Sequence, residues 1–298
     1  MHPARETAPI LSRSIDQNLQ PYAAVRLLSL DVSFGALAGG AMVARFLSQA
    51  MHPSWYVVLP LAVWVVYTWD HLLDAHRMGN RASTIRHRFH ATHFRSLFGA
   101  TVLGAAVATL LAARFLGTTG VLFGIGMAGF AFGHFVFIRF VGRRTSPFLV
   151  KELGVGLVYS FGIWGLPLLN SSTSTSTVVV WIAAGQFLLL AFANLIEFSI
   201  FERDIDKADG HTSWVLALGT RRSIRVVWAV LVSAVLLGVG VLFTYGGAPL
   251  WRLQLTYLAM TLILSALLLR HDWFARQERY RAWGDGAFLL PLIYLLLP

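Results

Sequence analysis

Runs of about twenty apolar residues recur along this 298-residue chain, each interrupted by a short polar stretch. That length crosses the hydrocarbon core of a bilayer as a helix. The pattern predicts nine segments: roughly Val25 to Phe46, Trp55 to His76, Ser96 to Phe115, Val121 to Phe140, Phe148 to Leu169, Val178 to Phe201, Ile224 to Tyr245, Leu253 to Arg270, and a short last one from Gly286 to Leu297. Residues 1–24 read as a polar tail with a turn near Pro21, and residues 25–298 as one membrane domain. The opening MHPARETAPILSRSIDQNLQ lacks the apolar stretch of a secretory signal, so no leader is expected. SSTSTST reads as an uncharged linker. Small residues in GALAGGAMVA should let a neighbouring helix approach the first segment closely. The fourth segment presents a glycine-rich face: Gly124, Gly126, Gly129 and Gly133.

Composition narrows the class to an all-α polytopic membrane protein. The chain is 56% hydrophobic and only 13% charged. It has no cysteine, which excludes disulfides, thiolate metal sites and cysteine nucleophiles. Its net charge is +10, and all but two of its 24 basic residues are arginine. In a membrane chain that excess reports orientation and anionic lipid, not nucleic acid. With the N-terminus inside, only Arg45, Arg114 and Arg252 fall near outward loops. All 14 acids fall on the inner side as well. Positive-inside bias explains the arginines but not the acids. A polar chamber facing the cytoplasm, in a bacterial inner membrane, explains both.

The acids form two pairs of equal spacing. Asp70 and Asp74 end the second apolar segment, and Glu202 and Asp206 end the sixth. Residues four apart share a helix face. Acids at the end of a bilayer-length run are costly and mark function by default. Paired carboxylates at low dielectric repel unless protons or cations neutralise them. Mg²⁺ suits such a site, because one or two carboxylates plus substrate phosphates hold it; Mn²⁺ accepts the same ligands. The four acids are therefore candidate metal and catalytic residues around a diphosphate. The alternative for either pair is a solvated helix end with ordinary ion pairs.

Basic groups should ring a diphosphate. Arg77, Arg86, Arg88, Arg143, Arg144, Lys151, Arg203 and Lys207 lie near the same face. Arginine grips phosphate oxygens in a fork. Lys151 stands out because it opens an apolar segment beside Glu152. Asn194 and Glu197 lie one to two turns inside the membrane from the second pair. Tyr67, Trp69, Tyr159, Trp164 and Phe198 could wall a chamber for an isoprenoid chain or its cation. A competing reading uses His87, His90 and His93, spaced i, i+3, i+6, as a metal site of a membrane oxidase. A non-catalytic lipid-binding or transport protein is the remaining class.

Around these residues the chain resembles the UbiA superfamily of intramembrane prenyltransferases. That family's second motif is approximately D-x-x-x-D-x-x-x-G-x-x-[ST] with a later Gly. Glu202, Asp206, Gly210, Ser213 and Gly219 match it, with Glu in the first place. Asp70 and Asp74 match the last two acids of the first motif, while Val66 and Tyr67 stand where Asn-Asp is usual. LDVSFGALA and Lys151 are similar to the family's opening helix and to the lysine of its fifth. The resemblance implies nine helices around a central chamber and an Mg²⁺-dependent enzyme. It implies ionisation of an isoprenyl diphosphate and prenyl transfer to a lipophilic acceptor, with Lys151, Arg77, Arg88, Arg144, Arg203, Asn194, Tyr67 and Tyr159 as candidate substrate contacts. The superfamily also includes terpene cyclases, which need no acceptor.

Overall fold

The computed structural model describes residues 20–78, 85–141, 148–171, 176–208 and 213–297. All regular structure in them is helical. The order is α1 (Gln20–Leu27), α2 (Leu30–Phe46), α3 (Trp55–Met78), α4 (Ile85–Thr92), α5 (Phe94–Phe115), α6 (Gly117–Val141), α7 (Phe148–Leu169) and α8 (Thr177–Phe201). There follow α9 (Arg203–Ala208), α10 (Trp214–Leu218), α11 (Thr220–Tyr245), α12 (Ala248–Leu269), α13 (His271–Ala275), α14 (Arg279–Ala287) and α15 (Pro291–Leu296).

Seven of these helices are long and apolar enough to cross a membrane. They are α3, α5, α6, α7, α8, α11 and α12. The other two expected segments are shorter or broken. The first splits at Ser29, whose φ of 54° is left-handed and separates α1 from α2. The expected tail thus gives way to helix at Gln20; residues 1–19 lie outside the described residues. The last segment begins earlier than its apolar run, at Arg279, and breaks between Ala287 and Pro291.

The helices close into a ring in chain order. α2 packs on α3, α3 on α5, α5 on α6, α6 on α7, and α7 on α8. The ring continues through α11 and α12 to α14 and α15, which return to α2. The core centres on α8, where Phe187, Leu190, Ala193 and Ile196 are fully buried. In α8, 61% of the apolar window is buried, against 11% in α6. Leucine and phenylalanine side chains on α5 and α6 point outward, as lipid-facing helices require. A reciprocal amide pair, Gln186 and Gln254, ties α8 to α12 through bonds of 2.9 and 2.8 Å. The small residues of α2 do admit neighbours: a methyl group on Gly39 would lie 3.3 Å from Ile163 of α7. The α6 glycines behave differently, since Gly124, Gly126, Gly129 and Gly133 face open space.

Candidate functional site

The ends of α3 and α8 that carry acids open into one polar chamber of about 250 Å³. Asp70, Asp74, Glu202 and Asp206 all line it. So do Lys151, Asn194, Tyr67 and Tyr159. The spacing of each acid pair thus brings four carboxylates from two distant parts of the chain into one space.

The second pair does not sit on a continuous helix. α8 ends at Phe201, and Glu202 occupies the turn at φ −98° before α9 begins. The Asp206 amide still donates to the Glu202 carbonyl at 2.8 Å, which keeps both residues on the chamber side. The Glu202 carboxylate is already engaged. Arg281 pairs with it, and the Tyr280 hydroxyl donates to it at 3.0 Å. The Tyr280 ring stacks flat on Phe201, with centroids 4.4 Å apart. A second ion pair, Arg26 with Glu278, holds α1 to the turn before α14.

Lys151 and Glu152 divide their work at the start of α7. Lys151 faces the chamber. Glu152 is buried; its Oε1 accepts from Ser199 Oγ at 2.9 Å and from the Trp214 amide at 2.8 Å. It therefore clasps α8 and the first turn of α10. Ser213 stands at the N-terminal cap of α10. Gly219 has φ 79°, a left-handed value that glycine adopts without strain, and turns α10 into α11. Gly210 lies outside the described residues.

Other expected contacts fall elsewhere. Arg203 is half exposed and approaches Asp204 at 3.7 Å, and Arg88 is exposed; neither lines the chamber. The Arg77 side chain and Arg144 lie outside the described residues. Glu197 is fully buried with both oxygens lacking a partner, and it does not line the chamber. Trp164 packs edge-on to Phe46 in the core.

Arg86 does line the chamber from α4, with Nη1 3.3 Å from His71 Nε2. Burial, reinforced by the charge of Arg281, draws its pKa down to about 10. A desolvated guanidinium facing a cavity is a ready anion site. His90 is buried beneath it, and its Nδ1 donates to the Arg86 carbonyl at 3.0 Å. Burial lowers the His90 pKa, so the ring is neutral at pH 7 and steadies α4. His93 is exposed, and the His87 side chain lies outside the described residues. Among the described residues no three His, Asp or Glu side chains converge on a ready-made metal cage. Carboxylates that flank a chamber without caging an ion fit Mg²⁺, whose shell is completed by water and substrate phosphate.

Asp31 and Asp285, which periodicity did not single out, also face the chamber. Each is an acid at the edge of an apolar run, the same signal that marked Asp70, but without a second acid four residues away.

A second, apolar cavity of about 400 Å³ lies between α3, α5, α6 and α7. It meets the polar chamber at Tyr67, Asp70, Val155 and Tyr159, which line both. It reaches Trp55 at the far end of α3. Asp70 to Trp55 is 15 residues, or about 22 Å of helix. The site thus joins a polar head lined by charged side chains to a long oily slot.

No family model matches the chain, and no curated protein matches it. Solved structures do share its fold. A UbiA homologue from Aeropyrum pernix K1, in its apo form, superposes with a TM-score of 0.63 at 19% identity, covering 91% of this chain and 98% of that one. A UbiA homologue from Archaeoglobus fulgidus, bound to DMAPP and Mg²⁺, gives 0.62 at 11% identity, covering 92% and 99%. A structure of digeranylgeranylglyceryl phosphate synthase gives 0.55 at 11% identity, covering 93% and 96%.

Proposed function

We propose that this chain, which has the fold of the UbiA homologues, is an intramembrane prenyltransferase acting on an isoprenyl diphosphate. The observation that carries the reading is the junction of the two cavities. Carboxylates, Lys151 and Arg86 surround the polar end, while the oily slot begins at Tyr67 and Tyr159. An amphiphile with a diphosphate head and an isoprenoid tail matches that division. The Archaeoglobus homologue bound to DMAPP and Mg²⁺ supports it.

Asp70, Asp74 and Asp206 would hold Mg²⁺, with Glu202 the fourth candidate. When bound, Mg²⁺ would supply charge neutralisation to the leaving diphosphate. Lys151 and Arg86 add fixed positive charge at the same oxygens. The allylic C–O bond then breaks heterolytically, its electron pair leaving with diphosphate. Tyr67 and Tyr159 stand where the resulting allylic cation forms, and their ring faces stabilise it. The apolar slot excludes water from the tail. The basic bias of the loops puts the chamber on the cytoplasmic side. Acceptor-free cyclisation is the second reading, favoured by Val66 and Tyr67 standing where the family's first motif has Asn-Asp.

The test is diphosphate release by the purified protein from C10, C15 and C20 isoprenyl diphosphates with Mg²⁺. Release should fall about a hundredfold or more in Asp70→Asn and Asp206→Asn while both variants stay folded. Full activity in either variant would sink the metal assignment. Hydrocarbon or terpene alcohol formed without acceptor would favour the cyclase.

A further inference from the structure

The proposed reaction leaves Asp31, Asp285 and the hydroxyl of Tyr159 without a role. Asp31 of α2 is 9% exposed; Oδ1 accepts from the Val32 amide at 3.0 Å, while Oδ2 is buried without a partner. Tyr159 of α7 is 8% exposed, and its hydroxyl also lacks a partner. Both line the chamber. Gly35 lies four residues beyond Asp31, so it shares that helix face one turn further on. A methyl group at Gly35 would lie 2.9 Å from the Tyr159 hydroxyl and 3.1 Å from Phe288 Cβ. The glycine therefore lets Tyr159 come down over α2, directly beyond Asp31. Asp285, three residues before Phe288, faces Asp31 closely enough for the two charges to interact. A buried orphan acceptor and an orphan hydroxyl, about one helix turn apart along α2, are costly unless a ligand satisfies them.

The charges indicate what that ligand is. Arg281 is committed to Glu202, and Arg26 to Glu278. Arg281 and Arg86 nevertheless both act on Asp31 and Asp285. The unpartnered Asp31 Oδ2 is an acceptor, so the position favours a hydrogen-bond donor over an anion. Asp31 and Asp285 line the polar chamber and not the oily slot, while Tyr159 stands at the junction of the two.

We propose that Asp31, Asp285 and Tyr159 form the acceptor subsite, with Asp31 taking the proton of a neutral, hydroxyl-bearing acceptor. The assignment rests on the prenyl-transfer reading. As the allylic C–O bond breaks and its electron pair leaves with diphosphate, the acceptor oxygen bonds to the allylic carbon. The acceptor's O–H proton passes to the Asp31 carboxylate, giving a prenyl ether, diphosphate and a protonated Asp31. Asp285 holds the acceptor against Asp31, and Tyr159 hydrogen-bonds its oxygen.

Full-length protein in detergent, given geranyl diphosphate and Mg²⁺, supplies the test. Hydroquinone is the neutral probe and hydroquinone sulfonate its anionic counterpart. Wild type should form a geranyl ether with hydroquinone and prefer it over the sulfonate. Asp31→Asn should lower ether formation about a hundredfold, while geranyl diphosphate with Mg²⁺ still raises its melting temperature. Unchanged ether formation in Asp31→Asn overturns the proposal, as does a preference for the sulfonate. If Asp31→Asn is no longer stabilised by geranyl diphosphate, Tyr159→Phe decides. A severalfold drop in kcat/KM for hydroquinone supports the subsite, and no drop overturns it. Wild type that releases diphosphate but never uses hydroquinone overturns the subsite alone. Wild type that releases none under any condition removes the prenyl-transfer reading and this proposal with it.

Discussion

Arg281 pairs with Glu202, so a residue of the last helical region neutralises the first acid of the motif that ends α8. Both side chains are mostly buried, 16% and 19% exposed. Removing one partner of such a pair strands a charge. Arg281→Met should therefore cost about 3 kcal/mol of stability. It should also free Glu202 as an extra metal ligand. Thermal unfolding in detergent should show a lowered melting temperature that Mg²⁺ restores more strongly than in wild type, as binding to the folded state alone requires. Equal Mg²⁺ stabilisation in both proteins would mean that Glu202 never reaches the ion.

Glu152 holds the second motif from behind. Its Oε1 serves both Ser199 and the Trp214 amide, joining α7, α8 and α10. Glu152→Ala should cost about 1 to 3 kcal/mol, because two buried donors lose their acceptor. The turn carrying Asp206 should loosen with it, raising KM for the diphosphate more than it lowers kcat. Glu152→Gln, which keeps an acceptor oxygen, should recover most of the loss. Thermal unfolding and steady-state kinetics on the two variants measure both effects.

Tail length should answer to Gly124. It lines the oily slot from α6, and a Cβ there meets nothing within 4 Å. Gly124→Leu would project into the slot while favouring the helix by about 1 kcal/mol. Competition between C10 and C20 diphosphates should shift about tenfold toward C10. An unchanged preference would mean that the tail lies elsewhere.

The membrane segments were legible because hydropathy is a strong, local signal. Seven were long enough to be found whole, and both acid pairs fell at helix ends where the chamber lies. The two remaining segments misled for physical reasons. The break at Ser29 puts a serine in a left-handed conformation, for which no glycine or proline gives warning. α14 reads RYRAWGDGA, too polar for an apolar run, yet it enters the ring through Tyr280, Gly284 and Ala287. The same obscurity hid Arg281 and Asp285, whose partners lie 79 and more residues away and meet them only through ring closure. Arg88 and Arg203 were expected from their place in the chain. Which way a side chain points at a frayed helix end is not encoded in that place, and both face outward.

The oily slot takes its outer wall from α5 and α6, whereas the acids and their partners hang on α3, α8 and α14. Under the proposed prenyl-transfer reading, tail length would be set mostly at α5 and α6, and bond cleavage at the polar ends of α3 and α8. Substitutions on α6 that narrow or deepen the slot leave the Glu202–Arg281 and Glu152 attachments untouched. On that reading, isoprenoid length could change by small steps on α6 while the polar end keeps its attachments.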